Sequence, residues 1–220
     1  MNDHIELKDG MKFEEVNFET GDIILFVPEE KYNTCKRCFF SLLSCCIQFW
    51  EHSPYSHVGM IVKDPNFGPE ELKGIYLIES TGLENVKDVE NKEIKFGVQL
   101  RSFQEVFKDY EGKVFWRKLT NIDRNEEFYR RLKIAHSIVH NRPYDCHILD
   151  WIGAMFNLRY IDIQNNKTFF CSALCAFFYV ALNILPRHTN WTIVRPVDFS
   201  SSNYSRLNLK DFLQSEVQLI

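Results

Sequence analysis

The chain has 220 residues, 45% of them hydrophobic and 25% charged, which gives room for one globular domain with a sizeable core. A net charge of −4, with no basic stripe interleaved with aromatics, excludes nucleic acid as the main partner. Seven cysteines in a chain too long to need disulfide staples point to reduced thiols and an intracellular, cytoplasmic setting.

Residues 1–20 read as a lead-in whose polar, acidic start, MNDHIELKDGMKFEEV, has no apolar stretch of secretory type. GDIILFV at 21–27 predicts a strand after a turn. CFFSLLSCCIQFW at 38–50 predicts a helix, apolar on most sides. SHVGMIV at 56–62 predicts a buried strand, and PNFGPEELKG at 65–74 a turn-rich connection. GIYLIES at 74–80 is the next strand, the charged stretch 82–93 an exposed loop, and 96–102 and 113–119 complete a strand-rich half.

From Asn125 the spacing becomes helical. Asn125 caps, Glu126 and Glu127 occupy the first turn, and Phe128, Leu132, Ala135 and Val139 share a face. CHILDWIGAMFNL at 146–158 predicts a second helix and KTFFCSALCAFFYVALNIL a third. The 18 uncharged residues at 168–185 border on transmembrane length, but Ser172, Tyr179 and Asn183 favour a buried core helix. Residues 191–202 are irregular, broken by Pro196. Strands first and helices later make an α+β plan.

Three residues in this order carry chemistry. Cys171 opens an apolar helix, His57 lies on one predicted strand, and Glu79 on the next. A helix N-terminus favours a thiolate, an imidazole can take the thiol proton, and a carboxylate can orient the imidazole. Cys175, one turn beyond Cys171, reads as an inert core residue. His136, His140, His147 and His188 read as decoration of helix faces and loops.

The series GDIILF, SPYSHVGMIV, LIES, GVQLRSFQEVF, NRPYD, FFCSALCAFFY and RPVDF resembles the permuted papain-like cysteine hydrolases. These form the YiiX-like branch of the NlpC-type amidase superfamily, with members in bacteria and large DNA viruses. The resemblance spans roughly 21–199. It implies a single hydrolase domain over 21–205, with 206–220 as a C-terminal segment. The implied fold is an antiparallel sheet or partial barrel packed against a central cysteine-bearing helix, with the histidine strand preceding the cysteine helix. It assigns Cys171 as nucleophile, His57 as general base and Glu79 as the orienting residue. Tyr144 of the RPYD motif, with Tyr55, Ser56 and Ser172 beside the histidine and cysteine, is assigned to substrate binding. Gly59 would keep the His57 face of its strand open.

The implied activity is hydrolysis of an amide or ester, or acyl transfer, through an acyl-thioester on Cys171. The substrate would be an acylated small molecule, lipid or peptide. The alternative is a catalytically idle papain-like domain that binds a partner. No metal, nucleotide or flavin motif stands out, so no cofactor is expected. The cysteines Cys35, Cys38, Cys45 and Cys46 include a CxxC spacing, but the adjacent second pair suits a tetrahedral zinc site poorly. Their default reading is part of an apolar helix near the site, able to wall an acyl groove or touch a membrane surface; acylation of these cysteines is the other reading weighed.

Overall fold

A computed structural model describes residues 13–29, 53–68, 71–81, 85–144, 167–202 and 205–220. The expected helices at 38–50 and 146–158, the four-cysteine cluster and His147 lie outside these residues. Within them the architecture is α+β. Strands β1 (Ile23–Pro28), β2 (His57–Lys63), β3 (Ile75–Thr81), β4 (Gly97–Ser102), β5 (Gly112–Arg117) and β6 (Val217–Gln218) form one sheet. Its order is β4-β3-β2-β1-β5-β6, and every neighbouring pair is antiparallel. The five longer strands fall where β-branched and aromatic runs predict them. The two-residue β6, which pairs with β5, has no such run and is fixed only by its partner.

Three helices accompany the sheet among the described residues: α1 (Phe103–Asp109), α2 (Glu126–Val139) and α3 (Cys171–Ala181). The short α1 follows β4 directly; Ser102 caps it by accepting from the Glu105 N–H at 3.4 Å. Asn125 caps α2, accepting from the Phe128 N–H at 3.0 Å, and Phe128, Leu132, Ala135 and Val139 are all buried.

The apolar run around Cys171 is a helix of 11 residues, shorter than its composition allows. Asn183 adopts φ 59°, and the Ile184 and Asn183 N–H groups donate back to the Tyr179 and Val180 carbonyls at 2.8 and 3.1 Å. This Schellman closure ends α3 while the sequence is still apolar. No helix among the described residues is long and apolar enough to cross a membrane.

Strand alternation sorts the core into two layers. Leu25, Val58, Met60, Ile78 and Leu100 face the layer that contains α2 and α3. Ile24, Phe26, Ile61, Leu77 and Val114 face a second layer containing α1. There Phe18 is sealed, edge-on to Phe103 and Trp116 at ring-centroid distances of 5.3 Å. Each such pair adds about 0.5–1.5 kcal/mol beyond area burial. Phe13 and Phe18, from the expected lead-in, and Leu209, Leu213 and Leu219, from the expected C-terminal segment, also join these layers.

The GD pair before β1 anchors the sheet to α2 and α3. Gly21 takes φ +97°, where a Cβ would stand 2.5 Å from the Leu119 side chain. Its carbonyl accepts from the Tyr179 hydroxyl at 2.7 Å. Asp22 accepts from the Leu119 N–H and the Trp116 indole, each at 2.8 Å. Burial raises the Asp22 pKa despite these donors.

Candidate active site

His57 is the first residue of β2, and Cys171 is the first residue of α3. By strand register His57 shares a face with Phe26, and their ring centroids are 5.3 Å apart. Cys171 belongs to the other layer, with Leu174 and Val58. Each stands at the start of its element. The Cys171 sulfur is near enough to the ring to help raise its pKa.

The other side of the ring belongs to Glu79. His57 Nε2 and Glu79 Oε2 are 2.5 Å apart. Glu79 is sealed at 0% exposure and lies beside the equally buried Arg101, whose Nε donates to Glu79 Oε1 at 2.8 Å; Arg101 Nη2 donates to the same oxygen. Burial alone would raise the Glu79 pKa, but Arg101 first and His57 next outweigh it and hold the carboxyl below its ordinary range. An ionised carboxylate only accepts, so Nε2 carries the donated hydrogen. Burial likewise opposes the charged form of His57. The Cys171 sulfur and the Glu79 carboxylate overcome it and push the imidazole up to about 10.

Arg101, Glu79, His57 and Cys171 therefore form a line of alternating charge when the thiol is ionised. Arg101 is absent from the sequence-based site. Its only sequence signal is two-residue alternation with Gln99 in an otherwise apolar strand, which assigns a face but no partner. Pairing of Leu77 with Arg101 and of Glu79 with Gln99 sets the guanidinium beside the carboxylate.

Two tethers position the start of α3. The Ser80 hydroxyl, on the residue after Glu79, donates to the Phe169 carbonyl at 2.6 Å. The Ser172 hydroxyl donates to the Val194 carbonyl at 2.7 Å. Ser172 is fully buried, so its side chain ties α3 to the 191–194 turn and is not a hydroxyl presented to a ligand. Phe170, at the N-cap, supplies no side-chain bond to the first turn. The leading N–H groups of any helix lack intrahelical acceptors, and Cys171 is the first residue of α3.

The remaining expected site residues surround this line at different distances. Ser56 directly precedes His57, and its N–H donates to the Phe26 carbonyl at 3.0 Å. Tyr55 packs edge-on against Phe115 at 5.6 Å; burial and then the Glu216 charge push its hydroxyl up to about 12. Tyr144 bridges Phe169, two residues before Cys171, and its ring lies 5.0 Å from that of Phe96. Gly59 does not open a face. A Cβ there would meet the Leu77 side chain at 2.7 Å, so its smallness accommodates a neighbour on β3. Cys175 is sealed at 0% exposure, and burial raises its thiol pKa well above the ordinary value, as an inert core thiol requires. Cys171 itself is 5% exposed, while the His57 side chain keeps 19%.

No family model matches the chain, and no curated protein matches it significantly.

Proposed function

We propose that the protein is a cysteine hydrolase or acyltransferase of the permuted papain-like class, acting on an amide or ester carbonyl. The observation that carries this reading is the grouping of Cys171, His57 and Glu79: the ring Nε2 is 2.5 Å from the carboxylate, and the Cys171 sulfur is near enough to help raise the imidazole pKa. A sheet whose histidine strand precedes the cysteine helix in the chain, with the helix packed against that strand, agrees with the permuted order.

In this reading the Cys171 thiolate attacks the carbonyl carbon and the carbonyl oxygen takes up the negative charge. The N–H groups at the start of α3 stabilise that oxyanion. His57 gives its proton to the departing amine or alcohol as the tetrahedral species collapses to an acyl-thioester. Water or another acceptor, deprotonated by His57, then releases the acyl group and regenerates the thiol. Glu79, locked by Arg101, keeps the imidazole in its tautomer throughout. The phenylalanine-rich composition favours lipid-like or acylated substrates.

Intact-mass spectrometry after incubation with acylated lipids or acylated peptides tests the reading. One class is expected to leave an acyl adduct on Cys171, absent in Cys171→Ala. The absence of any adduct with both classes, together with unhydrolysed substrates, would overturn it.

One observation favours a second reading, a papain-like domain that binds a partner without turnover: Cys171 is only 5% exposed. A thiol-directed alkylating probe at mildly acidic pH separates the two. The enzyme labels selectively at Cys171 and loses that labelling in His57→Ala. A binding domain labels slowly and without preference for this residue.

A further inference from the structure

A second cluster of chemically capable side chains stands apart from Cys171. His136 lies in the last turn of α2 and His140 is its C-cap, four residues on, and both side chains reach the same carboxylate. Glu90, from the connection between β3 and β4, reaches both. His136 Nε2 lies 3.0 Å from Glu90 Oε2, and His140 Nδ1 lies 3.5 Å from Glu90 Oε1. One donor atom from each of the three residues falls within 4.8 Å of the others. His136 is 5% exposed, contrary to its sequence reading as helix-face decoration.

The surroundings hold this geometry in place. Phe67 stacks on the His136 ring at 4.0 Å, with 12° between the planes. The loop bearing Glu90 is folded around Asp88, which accepts from the Asn91 N–H at 2.9 Å and from the Leu100 N–H at 2.8 Å. Among the described residues the ion-pair partners of Glu90 are these two histidines, with no lysine or arginine.

A hydrogen-bonded cluster without an ion explains only half of this. At 3.0 Å the His136 contact is an ordinary hydrogen bond, but 3.5 Å to His140 exceeds the usual N–H···O range. With bonds of about 2.0–2.1 Å, neighbouring ligands of a tetrahedral zinc ion stand about 3.3–3.4 Å apart. The two separations, to different oxygens of one carboxylate, bring both imidazoles to within a few tenths of an ångström of that spacing from Glu90. Imidazole nitrogens with one carboxylate are a donor set suited to zinc, copper or nickel ions and poor for calcium or magnesium.

We propose that Glu90, His136 and His140 bind one divalent metal ion of the zinc class. Three protein ligands leave a fourth position for water on the His140 side, where the side chain is 31% exposed. The ion links the β3–β4 connection to the end of α2. That junction is already close: a Cβ on Gly97, at φ +140°, would stand 2.3 Å from the Arg142 carbonyl oxygen, and the Val98 N–H donates to the same carbonyl at 2.8 Å. Since β4 also carries Arg101, the ion braces the strand that holds Glu79 from its far side.

Cobalt(II) titration of the full chain tests the site, because its visible absorption reports the ligand set. One ion per chain is expected, with the spectrum of nitrogen and oxygen ligation, displaced by zinc(II). His140→Gln and Glu90→Gln should each weaken binding by more than the ~10-fold that losing an outer-shell partner alone costs. His188→Gln should leave it unchanged. His140 is partly exposed, so its variant should stay folded, as circular dichroism will show, even if Glu90→Gln does not. Failure of the folded chain to take up cobalt would overturn the proposal. So would uptake unaffected in both ligand variants, or a near-ultraviolet thiolate-to-cobalt band as the main signal, which would assign the ion to cysteines.

Discussion

Among the described residues two glutamates pair with histidine, and the neighbours of each carboxylate set them apart. Glu79 is fully buried and its charge is matched by Arg101, so the imidazole it holds has a compensated anion behind it and a sulfur in front. Glu90 is more exposed and meets a second imidazole where Glu79 meets a guanidinium. The same pair of residue types thus sits in two settings, which suit proton movement in one proposal and a cation in the other. An arginine already bound to the carboxylate disfavours a metal ion by repulsion. Two imidazoles beside one carboxylate carry nitrogen donors of the kind such an ion binds.

The largest expected effect breaks the first cluster at the sulfur. Cys171→Ala should reduce turnover on the order of a millionfold, the scale on which removal of a nucleophile acts in a comparable triad. The thermal midpoint should change little, because alanine suits the first turn of a helix.

Glu79→Gln comes next. It should lower kcat by about 10⁴-fold, as loss of an orienting carboxylate does. It should also cost about 3–5 kcal/mol in urea unfolding, because Arg101 then lies buried without its counter-charge. A fall in kcat with unchanged stability would mean that Arg101 has another anion. A fall in stability with unchanged kcat would remove Glu79 from the catalytic line.

A pH series sharpens the contrast further. The His57 pKa rises from 6.5 to about 10 on folding. Its contribution to stability is therefore fully present below pH 6.5 and is lost as the pH climbs through about 10. Urea midpoints should fall across that window in the wild type and much less in His57→Gln. Turnover that needs the imidazolium should decline over the same alkaline range.

Stripping the protein with a chelator should lower the thermal midpoint, with readdition of zinc restoring it, while Glu90→Gln shows no response to either treatment. The smallest effect lies outside both clusters. Asn125→Ala should cost about 1 kcal/mol through loss of the α2 cap and leave both chemistries intact.

The sheet was legible because its strands are nearly continuous apolar runs between turn residues, as in 57–63 and 75–81. Asn125 and its two following glutamates announced α2 for an equally local reason. Three features were not legible. The seven-residue α1 has its Ser102–Glu105 capping spacing inside a stretch that reads as the end of a strand. Strand β6 has no apolar run and depends on β5. The length of α3 was set by Asn183 in a left-handed conformation rather than by loss of apolar character. Within the candidate site, Cys171, His57 and Glu79 were each identifiable by residue type and predicted element. Arg101, Ser80 and the Glu90 cluster were not, because each acts through a partner distant in sequence. Ser172 and Gly59 show the converse: sequence adjacency to a reactive residue gave them a site role, and packing gave them a structural one.

The separation of His57 from Cys171 along the chain has a consequence for biosynthesis. On the ribosome, β1 to β4 can pair, and the imidazole can be clamped between its carboxylate and the arginine, while the sulfur has yet to emerge. In the proposed reading the thiol meets its base only when α3 packs over β1 to β5, which precede it in the chain. Chains cut short before α3 would carry the histidine–glutamate–arginine cluster with no thiol beside it.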